Sequence, residues 1–133
     1  MTEIYRSLYT VTVGDINYSG HLGHERAFTV FHDARIRFLA SLGLSEMDIG
    51  DGVSILVVEV SCHYRQQVVL HDQLEVVVEL EAVEGRKIVF TYRAVNSKTG
   101  KEAFQGRTVM LGFDKAAGKV ADIPSSFLQN VRV

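Results

Sequence analysis

Apolar residues change their spacing twice along this chain, and each change marks an element boundary. From Ile4 to Val13 most residues are Tyr, Val or Thr, types that pack well on a pleated surface, so this stretch predicts a strand. The run from Gly14 to Gly23 holds three glycines with Asp15, Asn17 and Ser19, has no apolar period, and predicts a loop. From His24 the period becomes helical. Ala27, Val30, Phe31, Ala34, Phe38 and Leu42 recur every three or four residues, with Arg26, His32, Asp33, Arg35 and Arg37 between them. This predicts an amphipathic helix of about five turns, closed by Gly43. Glu25 at its start and Arg37 towards its end suit the helix dipole.

Beyond an acidic loop (Glu46, Asp48 and Asp51, with Gly50 and Gly52) the pattern is mainly that of strands. Val53 to Tyr64 is apolar and β-branched enough to be buried on both faces. From Leu74 the alternation is clean, with Leu74, Val76, Val78 and Leu80 on one face and Glu75, Glu79 and Glu81 on the other. A turn at Gly85 leads to a strand whose inner face is Ile88, Phe90, Tyr92 and Ala94. A second turn, Ser97 to Lys101, leads to the last long strand, Ala103 to Phe113, which ends in a turn at Asp114 to Gly118. Pro124 suits the first turn of a short closing helix. The expected class is α+β, with five or six antiparallel strands and one long helix. One helix covers so broad a sheet only if the sheet curves around it.

A chain of 133 residues supports one core, so residues 1–133 read as a single domain. Composition then narrows the function classes. Hydrophobic residues make up 47% and a single proline is present, which excludes a disordered chain. Fourteen Lys and Arg against sixteen Asp and Glu leave −2, without a basic block, so nucleic acid is not an expected partner. The longest aliphatic run, Ile55 to Val58, is far short of the ~20 residues that span a bilayer. Glu3 and Arg6 stand where a signal peptide would be apolar. Cys62 has no partner for an internal disulfide and reads as a buried small hydrophobe. The expected compartment is the cytoplasm, with no membrane association. His32, His63 and His71 are scattered without metal-ligand spacing, and the sequence carries no Walker loop, dinucleotide fingerprint or Gly-x-Ser-x-Gly. We therefore expect neither metal nor bound cofactor.

The stretch Gly14-Asp15-Ile16-Asn17-Tyr18-Ser19-Gly20-His21-Leu22-Gly23-His24, followed by Asp33-Ala34-Arg35-Ile36-Arg37-Phe38-Leu39, resembles the 4-hydroxybenzoyl-CoA thioesterase-like group of hotdog-fold thioesterases. The family pattern is Gly-Asp-x-Asp-x-x-Gly-(His/Ile)-(Val/Leu), then a long helix ending near Ala-Arg-x-x-(Phe/Tyr)-Leu. Val58 to Tyr64 and Asp122-Ile123-Pro124 also resemble the family, so the likeness runs nearly the full length. It implies a curved sheet wrapped around one helix and hydrolysis of a coenzyme A or acyl-carrier thioester, with coenzyme A arriving as part of the substrate. It also implies a dimer or dimer of dimers with active sites between subunits. One departure stands out: many members have a catalytic carboxylate where this chain has Asn17. The resemblance leaves open whether that role passes to another residue, whether Asn17 and His21 position a water, as in acyl-carrier thioesterases that combine Asp, Asn and His, or whether the chain only binds thioesters. A hotdog dehydratase is disfavoured, because its Asp and His flank a proline-containing segment and the one proline here is Pro124.

Thioester hydrolysis needs stabilisation of an oxyanion and a base for water. The first turn of a helix offers unpaired N–H groups, so the N–H of Gly23 or His24 is the expected oxyanion donor. Asn17 can hold a water, and Asp15, His21 or Glu25 can take its proton. Plainer roles stand beside these: Asp15 and Asn17 can cap turns, Glu25 can serve the helix dipole, and His21 can be packed where loop meets helix. Phe28 and Phe31, with the Val53 to Val60 strand, are the expected acyl slot. Arg65 is a candidate for the phosphates, as are Arg86 and Arg107, though surface arginines often serve nothing specific. Loop substitutions are expected to leave folding intact.

Overall fold

A computed structural model describes residues 2–131. Six strands form one antiparallel sheet: β1 (Thr2–Thr10), β2 (Val53–Tyr64), β3 (Gln73–Glu84), β4 (Lys87–Asn96), β5 (Glu102–Asp114) and β6 (Lys119–Ala121). The spatial order is β1-β3-β4-β5-β2, with the short β6 paired to the end of β5. The described residues also form two α-helices, α1 (Arg26–Ser41) and α2 (Ser125–Val131), and one short 3-10 turn, Val13–Asp15. The class is α+β, as the pattern predicts. The longer helix, sixteen residues, starts two positions later than its periodicity suggests.

The reason lies at its start. Glu25 occupies the N-cap position without a side-chain cap, and the Arg26 N–H bonds the Gly23 carbonyl at 2.9 Å, so Gly23 to Glu25 form a turn rather than helix. At the other end the Leu44 N–H bonds the Leu39 carbonyl and the Gly43 N–H that of Ala40, both at 2.9 Å, a Schellman closure with Gly43 at φ +74°.

The core lies between α1 and one face of the sheet. Ala27, Val30, Phe31, Ala34, Phe38 and Leu39 of the helix are buried against Leu74, Val76, Val78, Ile88, Phe90, Tyr92, Ala94, Phe104 and Met110. Every residue expected on the inner face of β4 is there. Phe31 stacks on Tyr92 with ring centres 4.7 Å apart and tilts against Phe104 at 5.7 Å. The charged side chain of Arg35 is buried here; its Nε bonds Glu46 at 2.6 Å and its Nη1 donates to the Tyr92 hydroxyl at 3.2 Å. Tyr92 in turn contacts the Thr108 hydroxyl at 2.8 Å, which extends this buried hydrogen-bond chain into β5.

Two expectations need correction. The β2 strand is not buried on both faces. It is an edge of the sheet, and Leu56, Val58 and Val60 are exposed along it. Cys62 is half-buried rather than fully buried, and burial raises its thiol pKa. Among the described residues no helix is long and apolar enough to cross a membrane.

Candidate active site

Between β1 and α1 the chain makes a miniature hairpin. Ile16 bridges Leu22, the Asn17 N–H bonds the His21 carbonyl at 2.8 Å, and the Gly20 N–H bonds the Asn17 carbonyl at 3.0 Å. Gly20 sits at φ +87°, a conformation that a residue with a Cβ adopts only under strain. This tight turn brings Asn17, Ser19 and His21 together. The Ser19 backbone N–H donates to Asn17 Oδ1 at 3.0 Å and the Ser19 hydroxyl to the same oxygen at 2.7 Å, while Ser19 Oγ lies 3.2 Å from His21 Nδ1. The hairpin is docked on the β2–β3 connection by the Leu22 N–H, which bonds the Val68 carbonyl at 2.8 Å.

An open pocket of about 380 Å³ lies against this hairpin, lined by Asn17, Ser19, His21, Leu22 and His24 on one side and by Tyr64, Arg65, Gln66, Gln67, Val68 and Phe104 on the other. Of the residues singled out from the sequence, Asn17, His21, His24 and Arg65 line it. Tyr64 forms part of its wall: its hydroxyl donates to the His24 carbonyl, tying the end of β2 to the turn that opens α1. Burial pushes the Tyr64 hydroxyl pKa up to about 12, so it remains a donor at any physiological pH. Arg65 pairs with Glu102 at 2.8 Å, with over half of its side chain exposed.

Backbone donors at the helix start divide cleanly. The Gly23 N–H is spent on the Asp15 carbonyl at 2.9 Å, so it is not free for a ligand. The His24 N–H has no hydrogen-bond partner among the described residues.

Asp15 is not part of the pocket. Its side chain is fully buried and accepts from the Tyr9 hydroxyl at 2.9 Å, the Thr12 N–H at 2.9 Å, the Thr12 hydroxyl at 3.1 Å and the Arg26 guanidinium at 3.1 Å. Burial alone would raise its pKa, but the bonds from Thr12, Tyr9 and Arg26 outweigh it and hold the carboxyl below the usual carboxylate range. A carboxylate so occupied fastens the loop to α1. It neither reaches the pocket nor has a lone pair to spare for water, and its burial contradicts the expectation that the whole loop can be substituted without cost to folding. Glu25 is exposed and lies 3.6 Å from His24 Nδ1, outside the pocket lining.

Phe31 is fully buried and Phe28 is exposed, and neither they nor the first eight residues of β2 line the pocket, so the expected acyl slot is not formed by them within one chain. Arg107 pairs with Glu81 on the far face of the sheet, and Arg86 with Asp122. Sequence reasoning missed Ser19, Tyr64, Gln66, Gln67 and Phe104. The parity of β2 could have found Tyr64, which shares a face with Cys62. No pattern marks the two glutamines. Among the described residues no three His, Cys, Asp or Glu side chains converge as metal ligands would.

One helix laid on a six-stranded antiparallel sheet, its N-terminal turn opening on a polar pocket, is the architecture of hotdog-fold proteins. The chain belongs to the thioesterase-like superfamily, whose family model matches residues 11–131. No curated protein matches the sequence. Solved structures do match. A hypothetical protein from Aquifex aeolicus is 22% identical with a TM-score of 0.87, over 96% of this chain and 99% of that one. The 1,4-dihydroxy-2-naphthoyl-CoA thioesterase Slr0204 from Synechocystis is 17% identical with a TM-score of 0.86, over 96% and 94%. The protein SAV2348 from Staphylococcus aureus, solved in complex with CoA, is 20% identical with a TM-score of 0.86, over 98% of this chain and 84% of that one.

Proposed function

We propose that the protein hydrolyses an acyl- or aroyl-thioester of coenzyme A, or of an acyl carrier, to a carboxylic acid and a free thiol. One observation carries this reading: His24, whose backbone N–H has no hydrogen-bond partner among the described residues, lines the same pocket as Asn17 and His21. The thioester oxygen rests on that N–H, where the partial positive charge of the helix start stabilises the oxyanion. The Asn17 amide holds the attacking water. His21 takes one proton as the water oxygen bonds the carbonyl carbon, and returns it to sulfur as the C–S bond breaks. Arg65, at the pocket rim, suits the phosphate end of a coenzyme A substrate. Superfamily membership and the CoA complex of the staphylococcal protein support the same substrate class.

The working unit of this proposal is a dimer or dimer of dimers. Leu56, Val58 and Val60 are exposed along β2, an open edge of the sheet that a symmetry mate would cover. The second subunit would complete the acyl slot that one chain lacks.

A second reading, a noncatalytic thioester binder, has one observation in its favour: no carboxylate lines the pocket. Thiol release across short, medium, long and aromatic acyl-CoAs separates the two. A hydrolase releases thiol, and His21→Ala lowers kcat by roughly 10²–10⁴. Saturable acyl-CoA binding without thiol release would establish the binder instead.

A further inference from the structure

We infer that Ser19 is a positioning residue that fixes the ring tautomer of His21, with the proton on Nδ1 and the lone pair on Nε2. The inference rests on the hydrolase reading for its catalytic consequence, but its structural content stands on hydrogen-bond arithmetic alone.

That arithmetic begins with Asn17. Its side-chain oxygen and nitrogen are identified by the Ser19 backbone N–H, which can only donate and therefore faces the oxygen, at 3.0 Å. The same oxygen lies 2.7 Å from Ser19 Oγ. An amide oxygen has no proton, so the single hydroxyl proton of Ser19 must occupy that contact. Ser19 Oγ is then left with lone pairs only. His21 Nδ1, 3.2 Å away, has to be the donor in the remaining bond. The chain of donors runs from His21 Nδ1–H to Ser19 Oγ, and from the Ser19 O–H to Asn17 Oδ1.

The consequence is on the opposite side of the ring. With Nδ1 protonated, Nε2 is the basic nitrogen of a residue that lines the pocket, and it is the atom that receives the proton of water. One proton passes from water to Nε2 as the C–O bond forms, and from Nε2–H to sulfur as the C–S bond breaks. The Nδ1 proton stays in place throughout. This arrangement also accounts for Asn17: the hydrogen-bond chain ends on an acceptor, which a neutral amide oxygen supplies without a charge. A histidine oriented through a hydroxyl to an amide takes over the task that a pocket carboxylate would perform.

The test reads the tautomer directly. In protein labelled with ¹⁵N-histidine, held where the ring is neutral, the long-range ¹H–¹⁵N correlations of His21 report which nitrogen carries the proton. The wild type should show the Nδ1–H form; Ser19→Ala should lose it, and Ser19→Thr, which keeps the hydroxyl, should restore it. On the substrate with the highest turnover, Ser19→Ala should lower kcat about five- to tenfold with KM little changed, the worth of one lost hydrogen bond. An Nε2–H tautomer in the wild type overturns the inference. So does an active Ser19→Ala variant whose kcat equals that of the wild type. Should the wild type release no thiol at all, the hydrolase reading fails while the NMR result still decides the relay.

Discussion

Asp15 and Asn17 stand two positions apart in the same loop, yet their side chains meet opposite environments. Asp15 is turned into the protein and satisfied by Tyr9, Thr12 and Arg26; Asn17 is exposed at the pocket. Asp15→Asn should therefore destabilise the fold by about 2 kcal/mol, because one amide cannot accept from all the donors that the carboxylate serves. Denaturant unfolding at neutral pH measures it. The same group sets an acid limb. Its pKa is lower folded than unfolded, so as pH falls the unfolded chain binds the proton first, and stability drops. The contribution is complete above the ordinary carboxylate range of about 4 and is lost as pH falls through the folded value, so the variant should show a shallower decline than the wild type there. An equally steep decline would mean that another carboxylate dominates.

At the scale of elements, the packing of α1 on β5 depends on a missing side chain. A Cβ at Gly106 would lie 2.2 Å from the Phe31 ring and 2.6 Å from the Ser61 carbonyl oxygen. The ring is already packed against Tyr92 and Phe104, and the carbonyl belongs to the neighbouring strand, so neither can yield cheaply. Gly106→Ala should cost about 1–3 kcal/mol by overpacking and lower the melting temperature. Because Phe104 also forms part of the pocket wall, the variant should weaken substrate binding even where it remains folded. A variant with wild-type melting temperature and KM would show that α1 can shift freely on the sheet.

For the whole molecule the open edge of β2 matters most. Val58→Lys puts a charge at an exposed position on this edge without touching the core or the pocket. The proposed dimer should dissociate to monomers in light scattering at micromolar concentration, and thiol release should fall with it if sites are completed between subunits. A wild type that is already monomeric at that concentration would refute the assembly.

The sequence by itself determined the α+β class, all five long strands, the inner face of β4 and the closing helix after Pro124, because hydrophobic period and turn chemistry are local properties that survive in a one-dimensional reading. The loop before α1 was legible as a loop for the same reason, since glycines with Asp, Asn and Ser between a strand and a helix admit no other structure, but it was marked as a candidate site only by the family resemblance. Only the tertiary structure decided which residues of that loop face the pocket. Whether Asp15 is a base or an anchor depends on Tyr9 and Arg26, six residues before it and eleven after, and on the burial they create. Whether the Gly23 or the His24 N–H is free depends on where the Asp15 carbonyl lands. Tyr64 reaches His24 across forty positions, and the apolar Val53 to Val60 run became an exposed edge rather than a buried strand because strand order, which periodicity does not encode, put it last in the sheet.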